Sequence, residues 1–276
     1  MQTPQSKTFT TALGQFVCGP HGRAALRVLF AAVFLTSSVS CVTTTTGGIE
    51  PEASEKQAVI DYSRLALAYF ESGDLASARR NAENALAIDS RAADSLEVLA
   101  PVSQREGDLS LAEEFFVRAL REDSQASRIR NNYAAFLFER ARYVDAQRHL
   151  RLVVSDAGYA GRAQAYENLG LTLLELQYPE GAQEAFMRAA KLDSALVQSP
   201  LELGILSIQH EEWFEARAWF ERYLNARTSA GVAESVAHST GALRAGRDLA
   251  AASGDYKAAA TWQRLLDARS SAANQK

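Results

Sequence analysis

Cysteine is nearly absent from this chain of 276 residues. Only Cys18 and Cys41 occur, too few for a disulfide framework or a four-ligand zinc site. Histidine is as sparse: His21, His149, His210 and His238 are scattered and form no metal-ligand pair at helical spacing. With 16 glycines and 6 prolines the chain is neither collagenous nor of low complexity. A basic excess is also missing. Lys plus Arg number 29 against 33 Asp plus Glu, and a net charge of −4 argues against a general nucleic-acid binder. No Gly-x-Gly-x-x-Gly, P-loop or Gly-x-Ser-x-Gly string is present. Glu211 and Glu212 beside His210 make part of a metalloprotease string, but the second histidine is lacking, and a solvated turn is the simpler reading. No cofactor, metal, small-molecule substrate or enzymatic activity is therefore expected; the contrasting possibility is a hydrolase or transferase hidden in a groove. At 47% hydrophobic and 22% charged, the chain has the composition of a folded protein.

Acidic residues are missing altogether before position 41, where Lys7, Arg23 and Arg27 precede the apolar run Val28 to Leu35. A positive n-region, a short h-region and small residues ahead of Cys41 make a signal peptide over residues 1–40. The run is too short to span a bilayer as a helix of about 20 residues. Ser38-Val39-Ser40-Cys41 resembles the bacterial lipobox, although Ser38 stands where leucine is preferred. Cys41 is then the lipidation site, and an ordinary secretory leader is the alternative. No other cysteine follows that could pair with Cys41, and a free thiol would be a liability in an oxidising compartment. Several acyl chains anchor firmly, since each buried methylene contributes about 0.8 kcal/mol. Val42, rather than Asp, after the cysteine resembles the outer-membrane sorting signal. Residues 41–54, opening Val42-Thr43-Thr44-Thr45-Thr46-Gly47-Gly48, read as a flexible tether.

The rest of the chain repeats itself. Leu65-Ala66 and Tyr69, with Ala78 and Ala85, recur 34 residues on as Leu99-Ala100, Ala112, Phe116 and Ala119. Tyr133-Ala134 with Ala146 and Leu150 follows, then Leu169-Gly170 with Ala182, Phe186 and Ala189 after a shift of 36. Leu203-Gly204, Ala216, Phe220 and Tyr223 complete five repeats. Large, small, aromatic, then Ala, Phe, Ala is the tetratricopeptide pattern: small residues let paired helices approach closely and large ones fill the space between hairpins. Gly73-Asp74, Gly107-Asp108 and Gln177 to Glu180 mark the turns within pairs. Ser90, Ser124 and Ser194 are expected to cap the helix that follows each. A divergent sixth repeat has Gly254-Asp255-Tyr256 and Ala259 but lacks the Leu-Gly signal. Pro101 falls within a first helix and is expected to kink it. The fold class is thus all-α, a right-handed superhelical tetratricopeptide-repeat solenoid over residues 55–270, with a short tail at 271–276.

In this architecture the second, fifth, ninth and twelfth positions of each repeat point into the concave face. They are Ile60, Ser63, Leu67 and Phe70 in repeat one, and Arg128, Asn131, Ala135 and Phe138 in repeat three. In repeat four they are Gln164, Glu167, Leu171 and Leu174, and in repeat five Gln198, Leu201, Ile205 and Ile208. Ile60, Ser63, Leu67, Phe70, Asn131, Phe138, Leu171 and Leu174 are the expected partner-binding set. The alternative is that neighbouring repeats cover them.

Asn131-Asn132-Tyr133-Ala134-Ala135-Phe136-Leu137-Phe138-Glu139, followed by Arg142-Tyr143 and Ala146, resembles the type IV pilus biogenesis and stability lipoproteins of PilF/PilW type. So do Tyr166 to Leu171 and the order of leader, Cys-Val-Thr, tether and repeats, over about residues 41–268. The resemblance implies a pilotin that rides to the outer membrane on its lipid, faces the periplasm, and supports localisation and multimerisation of the pilus secretin. A scaffold regulating peptidoglycan synthesis or outer-membrane assembly is the alternative within the same class.

Overall fold

The computed structural model describes residues 51–231 and 238–273. The leader, Cys41 and the tether up to residue 50 lie outside the described residues, as does the end of the tail. Twelve helices and no strand occur among the described residues, arranged as six consecutive hairpins. Their first helices are α1 (Pro51–Glu71), α3 (Ala93–Arg105), α5 (Ser127–Glu139), α7 (Arg162–Glu175), α9 (Gln198–Gln209) and α11 (Thr240–Ala252). Their second helices are α2 (Leu75–Ile88), α4 (Leu109–Glu122), α6 (Tyr143–Ser155), α8 (Pro179–Leu192), α10 (Trp213–Ser229) and α12 (Tyr256–Ala273). Helix α1 opens at Pro51, inside the stretch read as tether to residue 54, because proline is well placed in a first helical turn.

The repeat signature explains the packing. Ala66, Ala78, Ala112, Ala134, Ala146, Ala182 and Ala216 are fully buried where paired helices meet. At Gly170 the approach is closer still: a Cβ there would lie 2.5 Å from Cε1 of Phe186, itself fully buried. The sixth hairpin uses the same device, a first-helix glycine against a second-helix ring. Gly246 faces the Trp262 ring, which a Cβ would meet at 2.7 Å, so Ala245-Gly246 stands where repeat five has Leu203-Gly204. Helix α10 extends to Ser229, which absorbs part of the longer spacing before that hairpin.

Each hairpin turn has one residue at positive φ: Gly73, Gly107 and Gly254, and the non-glycine Ala141, Gln177 and Glu211. Asp74, Asp108 and Asp255 then accept hydrogen bonds from the backbone N–H groups of Ser77, Leu111 and Ala258, so these aspartates cap the second helices. The serines do not cap the first helices. Ala92, Ala126 and Val197 are the N-caps there, without side-chain bonds. The preceding Asp89, Asp123 and Asp193 instead accept from the backbone N–H two residues on, at 2.8–3.1 Å, closing the loop by an aspartate turn. Helix α3 runs through Pro101 to Arg105 as one helix. The proline removes one backbone donor, and packing against α1 and α4 keeps the helix continuous.

Candidate functional site

First helices touch one another along the solenoid (α1 with α3, α5 with α7, α7 with α9, α9 with α11) and so form the inner layer. Their four inward positions separate into three behaviours. The fifth position is buried in every repeat: Ser63, Glu97, Asn131, Glu167, Leu201 and Leu243. It forms the seam between neighbouring first helices and is stitched across repeats. The Ser63 hydroxyl bonds the Ser95 hydroxyl at 2.7 Å. The Asn168 amide donates to Asn131 Oδ1 at 3.2 Å. Glu167 Oε2 accepts from both the backbone N–H and the hydroxyl of Ser199, at 2.8 and 2.7 Å. Ser63 and Asn131, expected to bind a partner, lie buried in this seam with the Ser63 hydroxyl and Asn131 Oδ1 already hydrogen-bonded, and Glu167 and Leu201 share that burial.

The ninth and twelfth positions make an apolar strip. Leu67 is 39% exposed, and Ala135, Leu171 and Ile205 are half-buried along the same row. Phe70, Phe138, Leu174 and Ile208 form the parallel row, all half-buried. Phe70 lies beneath the Arg105 guanidinium, 4.1 Å from ring centroid to Cζ, and Phe138 packs edge-on against Tyr143. The second position is a polar ridge from Asp94 through Arg128 and Gln164 to Gln198, except in repeat one, where Ile60 is 44% exposed. Only in repeat one are both the second and the ninth positions large, aliphatic and open. They line a cleft of about 200 Å³ with Ser63, Arg64, Asp94, Val98 and Arg128.

One charged group behind this cleft was not singled out by its sequence. Glu97 is 3% exposed at the α3–α5 seam, where its Oε1 accepts from the Asn132 amide at 2.8 Å. Its Oε2 lies against the Arg128 guanidinium but accepts no aligned hydrogen bond, and Arg128 also donates to Asp94 at 2.7 Å. Burial pushes the Glu97 carboxyl up from 4.5 to about 7, against the opposing pull of Arg128. The signal was available. Glu97 stands one repeat from Ser63 and Asn131 in a polar series at a buried position. On the outer side, a second and larger groove of about 770 Å³ lies between α6 and α8 over Tyr166, Leu169 and Leu173 of α7. Among the described residues no group of three or more His, Cys, Asp and Glu is arranged to hold a metal, and no helix is long and apolar enough to cross a membrane.

Comparison with known proteins agrees with this geometry. A tetratricopeptide-repeat model matches residues 163–196. The type IV pilus assembly protein PilF of Pseudomonas aeruginosa is 34% identical over 204 residues, covering 73% of this chain and 79% of that one. A solved structure from the functional characterisation of Pseudomonas aeruginosa PilF superposes with a TM-score of 0.71 at 30% identity, over 77% of this chain and 92% of that one. The crystal structure of PilW, a widely conserved type IV pilus biogenesis factor, has the same fold, with a TM-score of 0.64 at 22% identity over 77% and 93% of the two chains. On this identity, coverage and shared fold, the chain belongs to the PilF/PilW family of tetratricopeptide-repeat proteins of type IV pilus biogenesis.

Proposed function

We propose that this chain is a pilotin, anchored to the periplasmic face of the outer membrane through lipid on Cys41. It binds the type IV pilus secretin and supports its localisation and multimerisation. The observation that carries the binding half is the open cleft of repeat one, where Ile60 and Leu67 are exposed at inward positions. Apolar residues left open at the end of a solenoid favour burial against a partner. Covering a few hundred Å² there contributes several kcal/mol at about 25 cal/mol per Å², before the cost of association. Membership of a pilus biogenesis family supports the secretin as that partner. Residues 1–40 serve as the leader and 41–50 as the tether, with Phe138, Leu171 and Leu174 extending the apolar strip beyond the primary cleft.

The test is an Ile60→Ser, Leu67→Ser double variant. Both side chains are open, so helicity and melting should stay close to wild type, unlike substitution of the half-buried Phe70. Secretin multimers in the outer membrane and surface pili should fall, while the amount and fractionation of the chain itself stay unchanged. Normal multimers with a folded double variant would remove repeat one as the docking site.

A further inference from the structure

Four of the five exposed aromatic residues of the described chain sit in three successive hairpin turns: Tyr178 (61% exposed), Trp213 (40%) and Phe214 (81%), and Tyr256 (76%). The fold does not require them there. In repeats one and two the same turns close with Asp74-Leu75-Ala76 and Asp108-Leu109-Ser110, whose leucines are half-buried. Turns of neighbouring hairpins lie side by side, and first helices of neighbours are about 8–10 Å apart. The four rings therefore stand at the turn end of repeats four to six, with Tyr178 at the lip of the α6–α8 groove, and none of them lines the repeat-one cleft.

The charge on that edge is one-sided. Residues 175–180, 211–217 and 255–257 carry Glu175, Glu180, Glu211, Glu212, Glu215 and Asp255 against only Arg217 and Lys257. All six carboxylates are exposed. Trp and Tyr are among the side chains that carry most binding energy at protein interfaces, Phe is enriched there, and the faces of all three attract cations. The surrounding carboxylates repel an anionic lipid surface and attract Lys and Arg.

We propose that the turn edge of repeats four to six is a docking surface for a basic protein segment in which Lys or Arg alternates with aliphatic side chains. It is separate from the repeat-one cleft, so the solenoid holds two protein segments at once. The aliphatic groups cover Phe214 and Tyr256, while the cations meet Glu211, Glu212 and Glu215 or sit over the rings.

Titration of the mature chain with a short synthetic peptide alternating lysine and leucine tests this, read by tryptophan fluorescence and calorimetry. The expected result is saturable binding that weakens as salt rises, and about tenfold weaker binding to Phe214→Ser, Tyr256→Ser. Because both rings are largely in solvent, this variant should keep its helicity. Glu211→Lys with Glu212→Lys should weaken binding at low salt and matter less at high salt. An Ile60→Ser, Leu67→Ser chain should bind the peptide as wild type does. The proposal is overturned if the glutamate–leucine counterpart binds equally well or if the aromatic variant binds unchanged. It is equally overturned if phosphatidylethanolamine–phosphatidylglycerol vesicles, and not the peptide, are bound through Phe214 and Tyr256, which would make the edge a lipid contact.

Discussion

Replacing Glu97 with Gln should change how stability depends on pH. The Glu97 carboxyl is buried at the α3–α5 seam and its pKa is raised from 4.5 to about 7, with burial the largest cause, opposed by Arg128 and reinforced by Asp94. A group that holds its proton more tightly when folded stabilises fully below its ordinary pKa and loses that contribution as pH rises through the folded value. The window is therefore pH 4.5 to about 7. A shift of that size corresponds to at most about 3 kcal/mol at 1.36 kcal/mol per pH unit. In a solenoid of this length that is roughly 6–12 °C in melting temperature. Glutamine keeps an oxygen for the Asn132 amide and cannot ionise, so Glu97→Gln should melt above wild type at pH 8 and converge with it near pH 4.5. Glu202, raised by burial, and His149 and His238, lowered by it, are common to both proteins and cancel in the difference. Tyr159 also faces the carboxyl, and its own pKa is pushed upward by burial, so it stays neutral across the window. The assay is thermal unfolding followed by circular dichroism across the window. Parallel melting profiles for the two chains would refute the reasoning, because they would mean that Arg128 neutralises the buried charge in full.

Other substitutions separate close packing from mere smallness. Gly170→Ala should lose about 1–3 kcal/mol in urea unfolding, because its Cβ overlaps the Phe186 ring. At Gly204 the nearest atom to a new Cβ is 3.5 Å away, so Gly204→Ala should be neutral or gain up to about 1 kcal/mol from helix propensity. Asp108→Ala removes the cap on the Leu111 N–H and should cost about 1 kcal/mol, seen as faster amide exchange in the first turn of α4. Cys41→Ala should leave a folded chain in the periplasmic fraction, and mass spectrometry of the mature N-terminus of wild type should find the acylated cysteine. An unmodified terminus at another residue would contradict the anchor.

The hairpins were legible because their cause is local and repeated. Ala78, Ala112, Ala146, Ala182 and Ala216 are small for the same reason in each repeat, and a shift of about 34 residues shows this without coordinates. Turn aspartates were legible likewise, since a cap acts within four residues. The serines after Asp89, Asp123 and Asp193 misled because the N-caps fall two or three residues further on, at Ala92, Ala126 and Val197, which only the loop path shows. The sixth repeat was half-hidden because Ala245 stands before Gly246 where the other repeats have leucine or tyrosine, and because it follows repeat five at a longer spacing than the others, although Gly246 meets Trp262 at the same separation as Gly170 meets Phe186. Inward direction could be read from the period, but exposure could not. Ser63, Glu97 and Asn131 point inward and are buried all the same, because the next first helix closes over the fifth position. Ile60 and Leu67 stay open because they flank that seam, lining a cleft with Asp94, Val98 and Arg128 of the next two repeats. Sequence determined the repeat and its small contacts, which act within one hairpin. Tertiary structure alone decided which inward side chains the neighbouring hairpin covers, because that depends on atoms more than thirty residues away.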